Sequence, residues 1–418
     1  MKREDFEIMA PVGSRESLSA AFQSGADAIY FGVEELNMRA RAAGNFTADD
    51  MSWIARACRE RGVKSYLTLN TVVHEHEVEK ARDIIGRARE AGVTAIIASD
   101  MAVILEARAL GVEVHASTQC NVTNTEALRF LSRYVDVVVL ARELDLEQVS
   151  AIHRRVVEEG IRGPGGLPVR VEMFAHGALC MAVSGKCYLS LHEMNAAANR
   201  GECLQPCRRA YAARDVESDI ELEIDGQYIM SPKDLCTIGF LDKMVSAGVR
   251  VFKIEGRARP AEYTRVTCTC YDEALRALVS GEYTAARVEE WRRRLSTVFH
   301  RGFWDGYYLG RRLGEWSAVH GSAATRRKER VGRVTNYYAR PGVAECRLES
   351  GELRVGDRVL FVGPTTGAEE EVVRELRLDV LPVERVGKGA VFSMPSGVKV
   401  RRGDVLYKWS DVAPGTRG

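Results

Sequence analysis

At 418 residues and 46.4 kDa the chain exceeds one ordinary core and predicts two or three domains. Its 46% hydrophobic and 28% charged residues exclude a disordered chain, and 59 Lys+Arg against 58 Asp+Glu exclude a globally basic nucleic-acid binder, so any basic surface is local. No run reaches the roughly 18 apolar residues of a membrane span, and Met1-Lys2-Arg3-Glu4-Asp5 leading to Pro11 does not read as a signal peptide. The expectation is a cytoplasmic protein whose ten cysteines serve metal or redox chemistry rather than disulfides.

From the start of the chain one joint recurs: a helical stretch ends at glycine and an apolar run follows. The glycines are Gly25, Gly62, Gly92, Gly111 and Gly248, each suited to the left-handed position just past a helix end. The runs FEIMAP, AIYFG, KSYLTLN, AIIAS, VHAST, DVVVLA, VRVEMFA and RVFKIEG are rich in Val, Ile, Tyr and Phe, as strands buried on both faces are. Eight strands alternating with helices predict an α/β fold, a (β/α)8 TIM-type barrel over 1–280. An open doubly wound sheet is disfavoured because APVGSR after the first strand is a poor phosphate-binding turn.

Active sites of such barrels form at the C-terminal strand ends. Those ends carry Asn70, Asp100, Gln119, Arg142, Glu143, His176, Glu255 and Arg257, with Arg39 and Arg41 after the second strand. Glu172, His176, Glu255, Arg257 and Asp100 are the candidates for proton transfer and catalysis. Arg39, Arg41, Asn70, Gln119 and Lys253 are the candidates for binding substrate, the arginines and Lys253 through carboxylate or phosphate groups.

After the seventh strand the pattern breaks into a Gly-, Ala-, Ser- and Asn-rich segment, 174–212, read as a lid over the barrel mouth. It carries Cys180, Cys187, Cys203 and Cys207, spaced 7, 16 and 4 apart. Four thiolates can close around zinc or a four-iron–four-sulfur (4Fe–4S) cluster. The absence of CxxC knuckles favours the cluster, with zinc as the alternative occupant. Cys236, at the start of an expected helix LCTIGFLDKM, is a substitute ligand, and His176 is a second candidate partner of the cluster. Cys58, Cys268, Cys270 and Cys346 read as core. His74-Glu-His76-Glu77 is not HExxH, and no GxSxG elbow occurs.

Three passages, EIMAPVGSRESLSAAFQSGADAIYFG, FAHGALCMAVSGKCYLS and FKIEGRARPAEYTRV, resemble the collagenase-like peptidases of unassigned mechanism. The resemblance runs from about residue 6 to the C-terminus. Despite the peptidase name, it implies an iron–sulfur cluster and oxygen-independent hydroxylation, with branches acting on the tRNA wobble uridine, a ribosomal RNA cytidine or the ubiquinone ring. Carried over by motif, the cluster ligands are Cys180, Cys187, Cys203 and Cys207. The long C-terminal extension favours an RNA branch: tRNA first, rRNA second. The tRNA branch implies prephenate, a small carboxylate, as hydroxyl source, and a protein partner or paralogue is open. A collagenase-like peptidase and an RNA-binding protein with a structural metal are the alternatives.

Beyond the barrel, 281–328 reads as a helical bridge and basic linker. Phe303, Trp304, Tyr307 and Tyr308 either dock the bridge or stack on bases. Arg326, Arg327, Lys328, Arg330 and Arg333 form a candidate phosphate-tracking run. Short β-like runs with turn signals then predict a small antiparallel β-barrel over 329–418.

Overall fold

The eight apolar runs form eight parallel strands: β1 (Glu7–Pro11), β2 (Ala28–Phe31), β3 (Lys64–Leu69), β4 (Ala95–Ala98), β5 (Glu113–Ala116), β6 (Val137–Val139), β7 (Arg170–Ala178) and β8 (Val249–Ile254). They pair in chain order, and β8 bonds to both β1 and β7, which closes the barrel. The five helix-ending glycines all have positive φ. This is a computed structural model; it describes residues 1–41, 46–211, 213–214, 221–222, 230–310, 314–319 and 321–412. Residue 212 of the expected lid, 311–313 and 320 of the expected linker region, and 413–418 lie outside the described residues.

Period-two alternation splits each strand between two environments. Ile8, Ala10, Ile29 and Phe31 face the helices in the large core. Met9, Ala28, Tyr30, Tyr66 and Val251 form a separate cluster inside the barrel. The interior also holds charge. At its closed end Glu7, 2% exposed, accepts hydrogen bonds from Tyr66 (2.7 Å), Lys64 (2.7 Å) and Arg170 (3.0 Å). Among the described residues no helix is long and apolar enough to cross a membrane.

One expected element differs. The helix predicted from Leu235 begins only at Leu241, and Asp234–Cys236 is a short strand antiparallel to the end of β7. Nine residues long, β7 overruns the rim, and its last backbone groups are satisfied by this added strand. Phe303–Trp304 then extends the sheet by pairing with Asp234–Cys236.

The C-terminal region is an eight-stranded antiparallel sheet around one core that includes Val334, Cys346, Phe361, Phe392 and Leu406. Its first strand, Arg326–Tyr338, absorbs the expected basic linker. The expected run EEVVRELRL divides into Gly367–Val372 and Leu376–Leu378. The sheet seats on the helices Arg15–Phe22 and Ala261–Ser280 through Ala20, Ala261, Leu360, Ala368 and Trp409.

Candidate active site at the barrel mouth

The C-terminal strand ends and the lid enclose a cavity of about 210 Å³. Six predicted residues line it: Arg39, Asn70, Gln119, Lys253, Glu255 and Arg257. So do Cys180, Cys203 and Cys207. The lid is pinned across the mouth by Arg200, which donates to the Val72 carbonyl (2.5 Å) and forms a two-pronged ion pair with Glu77. Gly201 permits the approach: its φ is +80°, and a Cβ there would fall 2.1 Å from the Asn37 carbonyl oxygen.

Cys207 lies within electrostatic reach of the other three cysteines of the lid. Burial pushes the Cys207 thiol up to about 11; Arg208 opposes the rise, while Cys180, Cys203 and Cys187 add to it. A tetrahedral zinc with metal–sulfur bonds of roughly 2.3 Å sets its sulfurs about 3.8 Å apart. Among the described residues no three of these sulfurs lie within 4.8 Å of one another. The arrangement is therefore wider than the sulfur tetrahedron around a single zinc ion. Cys236 is buried at 3% exposure, and its thiol interacts with Tyr271 rather than with the lid cysteines.

The cavity is cationic. Arg257 is 6% exposed and donates only to neutral partners, Asn37 Oδ1 (3.0 Å) and Thr68 Oγ1 (2.8 Å). Burial draws its pKa down to about 10. The Arg142 guanidinium lies 3.7 Å from the Phe174 ring centroid and donates to the Ala178 carbonyl, while its buried Nε has no partner. Among the described residues neither arginine is in ion-pair contact with a carboxylate, although Glu255 acts on both from farther away. Lys253 Nζ is: Glu172 Oε1 lies at 2.8 Å. Burial opposes the ionisation of Glu255, but Arg39 (3.0 Å), Arg259 and Arg142 outweigh it and hold the carboxyl at about 2. Arg301, also on the wall, is drawn down to about 10 by burial and by its neighbours Arg208 and Arg259.

Four predicted residues fall elsewhere. Glu172, fully buried, lies beneath Lys253 rather than on the wall. His176 is boxed in by Tyr263, Tyr271 and Phe303, and burial lowers its pKa to about 3, so it is neutral near pH 7 and does not line the cavity. Asp100 caps the helix Met101–Ala109, accepting from Ala102 N (2.9 Å), and also accepts from Val73 N (3.0 Å). Arg41 is exposed and pairs with Glu202 of the lid. The bridge aromatics dock rather than offer bases a platform: Trp304 and Tyr308 are buried, and Tyr308 donates to the Phe174 carbonyl. His74, His76 and Glu77 bring ligand atoms within 4.8 Å of one another, but Glu77 is committed to Arg200.

The cavity is also lined by Arg142, which stands at a strand end but is not among the substrate-binding candidates, and by Tyr30, Arg208 and Arg259. Arg208 directly follows Cys207, and Arg259 lies within the FKIEGRARPAEYTRV passage. Arg301 had no local signal, because the bridge returns it from beyond the barrel.

A closed barrel with catalytic-type groups gathered under a cysteine lid defines a (β/α)8 enzyme scaffold. Residues 13–318 match the model of peptidase family U32, and the chain belongs to that family. It is 57% identical over 409 residues to a collagenase of Porphyromonas gingivalis, covering 98% of this chain and 99% of that one. It is 32% identical over 365 residues to tRNA hydroxylation protein P1 of Bacillus subtilis, covering 86% and 83%. A 23S rRNA 5-hydroxycytidine synthase of Escherichia coli is 34% identical over 322 residues, 75% of this chain and 46% of that one. A solved U32 peptidase structure covers 60% of the chain and 93% of its own, at 15% identity and a TM-score of 0.39.

Proposed function

We propose that the protein is a cytoplasmic, iron–sulfur-dependent RNA hydroxylase that works without oxygen, with the tRNA wobble uridine as its target and 5-hydroxyuridine as product. The observation that carries this reading is the cationic cavity roofed by cysteines: Arg142 and Arg257 face it without carboxylate partners. Relatives named for tRNA and rRNA hydroxylation support the choice of RNA, tRNA first and rRNA second.

Cys180, Cys187, Cys203 and Cys207 would hold a 4Fe–4S cluster, which supplies Lewis-acid or one-electron chemistry when bound. The chain's own groups do the rest. Arg142 and Arg257 bind the carboxylates of a small acid such as prephenate, the hydroxyl source, because guanidinium forks match carboxylate geometry. Arg39 stays tied to Glu255 and orients that carboxylate toward the cavity. Lys253, its charge balanced from below by Glu172, holds or delivers a proton at Nζ. The lid keeps bulk water from an unstacked base.

Anaerobic purification with iron and sulfide analysis, followed by mass spectrometry of tRNA nucleosides from a deletion strain, tests the reading. Iron and sulfide near four each per chain and loss of 5-hydroxyuridine derivatives are expected. Stoichiometric zinc without sulfide removes the cluster. Unchanged nucleosides in a strain lacking any paralogue remove tRNA.

The collagenase-named relative at 57% identity favours a second reading, peptide hydrolysis. Hydrolysis of gelatin by metal-replete protein, undiminished when the lid cysteines are changed to serine, would establish it.

A further inference from the structure

The C-terminal sheet carries a second concavity, of about 620 Å³, and its walls are cationic. Arg333 and Arg347 stand directly opposite each other on paired antiparallel strands, an arrangement of like charges that destabilises a sheet. Glu349 neutralises part of this charge by pairing with Arg333 and with Arg330 (3.2 Å). Two tight turns then add more. Gly389 (φ +93°) donates its N–H to the Leu348 carbonyl at 2.8 Å, and Gly403 (φ +94°) donates to the Val334 carbonyl at 2.9 Å. Each glycine is preceded by a cation, Lys388 and Arg402, so both turns bring positive charge onto the same two strands. Arg347, Lys388 and Arg402 are exposed and have no carboxylate partner among the described residues. Of the expected basic run, Arg326 pairs with Glu370, Lys328 with Glu262, and Arg330 and Arg333 with Glu349; Arg327 is exposed, and Arg333 also lines this groove.

We infer that this groove is a docking surface for the phosphodiester backbone of RNA. Repelling cations arrayed around a concavity are relieved by a ligand of regularly spaced negative charge. The apolar side chains on the floor, Val334 and Leu348, are buried and offer nothing to a protein side chain. Backbone contacts of this kind position a nucleic acid without reading its bases. The inference rests on the RNA reading of the barrel, and it moves the electrostatic grip from the mouth to the C-terminal sheet.

The test is binding of bulk deacylated tRNA by the whole chain, measured from roughly 50 to 200 mM salt. The triple variant Arg347→Glu, Lys388→Glu, Arg402→Glu is expected to bind roughly tenfold or more weakly, with the log–log salt slope shallower by about 2 to 3. Glu349→Gln, which frees two guanidiniums, is expected to bind more tightly and with a steeper slope, a gain that misfolding cannot produce. Equal binding by the wild type and both variants overturns the groove and leaves the RNA reading standing. No tRNA binding by the wild type at any salt overturns both. Displacement by poly-glutamate as effective as by tRNA, at equal charge concentration, overturns the groove in favour of an acidic protein partner.

Discussion

Arg257 and Lys253 are both buried cations on one cavity, yet their surroundings predict opposite responses to removal. Arg257 has only neutral partners, so its charge costs stability in the free protein. Arg257→Met is expected to melt no lower than the wild type, while the rise in melting temperature caused by an added dicarboxylate, malonate for instance, disappears. Lys253→Met leaves the fully buried Glu172 carboxyl with His115 (3.6 Å) as its remaining partner and is expected to lose about 3 kcal/mol, measured by denaturant unfolding. Glu172→Gln added to Lys253→Met should restore most of that loss. At the closed end, burial opposes the ionisation of Glu7, but Arg170, Lys64 and Tyr66 hold its carboxyl at about 2, against an ordinary 4.5. A depressed carboxyl stabilises fully above the unfolded value and loses its contribution as pH falls from 4.5 toward 2. The stability gap between wild type and Glu7→Gln, roughly 2–3 kcal/mol near pH 7, should therefore shrink across that acid range and stay flat above it.

The lid is an element whose position depends on a few polar contacts rather than on a core. Arg200 ties it to Val72 and Glu77, whereas Met181, Tyr188 and Leu204 remain exposed. Arg200→Ala is expected to leave the global melting temperature within a degree or two. Alkylation of the partly buried Cys203 and Cys207 should quicken several-fold, read by mass spectrometry of the labelled chain. If labelling rates stay unchanged, Arg200 does not hold the lid. The eight barrel strands were legible because Gly25, Gly62, Gly92, Gly111 and Gly248 punctuate helix-to-strand joints locally. Asp234–Cys236 was not legible, because it is a strand only through its pairing with the overhang of β7. The site divides in the same way. Arg39, Asn70, Gln119, Lys253, Glu255 and Arg257 follow from the strand-end rule. Asp100 sits at a strand end too, but its carboxylate is taken by helix capping, a role that an Asp at a helix start also fits. His176 was misplaced because the tyrosines that enclose it, Tyr263 and Tyr271, belong to a helix about ninety residues later.

For the molecule as a whole, a net charge of +1 conceals a strong separation of charge. Cations gather at the barrel mouth and in the groove of the C-terminal sheet, and ion pairs join the two cores along their seam. Along that seam Glu262 is 6% exposed and accepts from Lys328 Nζ at 2.7 Å, and Arg265 reaches Glu369 at 2.9 Å. The apolar part of the seam is a single small cluster, Ala20, Ala261, Leu360, Ala368 and Trp409. The ion pairs therefore specify how the sheet seats on the barrel more than they add net stability. A double-mutant cycle separates these contributions. Lys328→Met alone strands a buried carboxylate and is expected to cost roughly 2–3 kcal/mol. Glu262→Gln alone strands only a lysine that can turn toward water and should cost about 1 kcal/mol or less. Together they should cost less than Lys328→Met alone, a coupling of roughly 1–2 kcal/mol read by denaturant unfolding. Additive losses would mean that Glu262 is protonated or hydrated in the folded protein, and that this pair does not specify how the cores are seated.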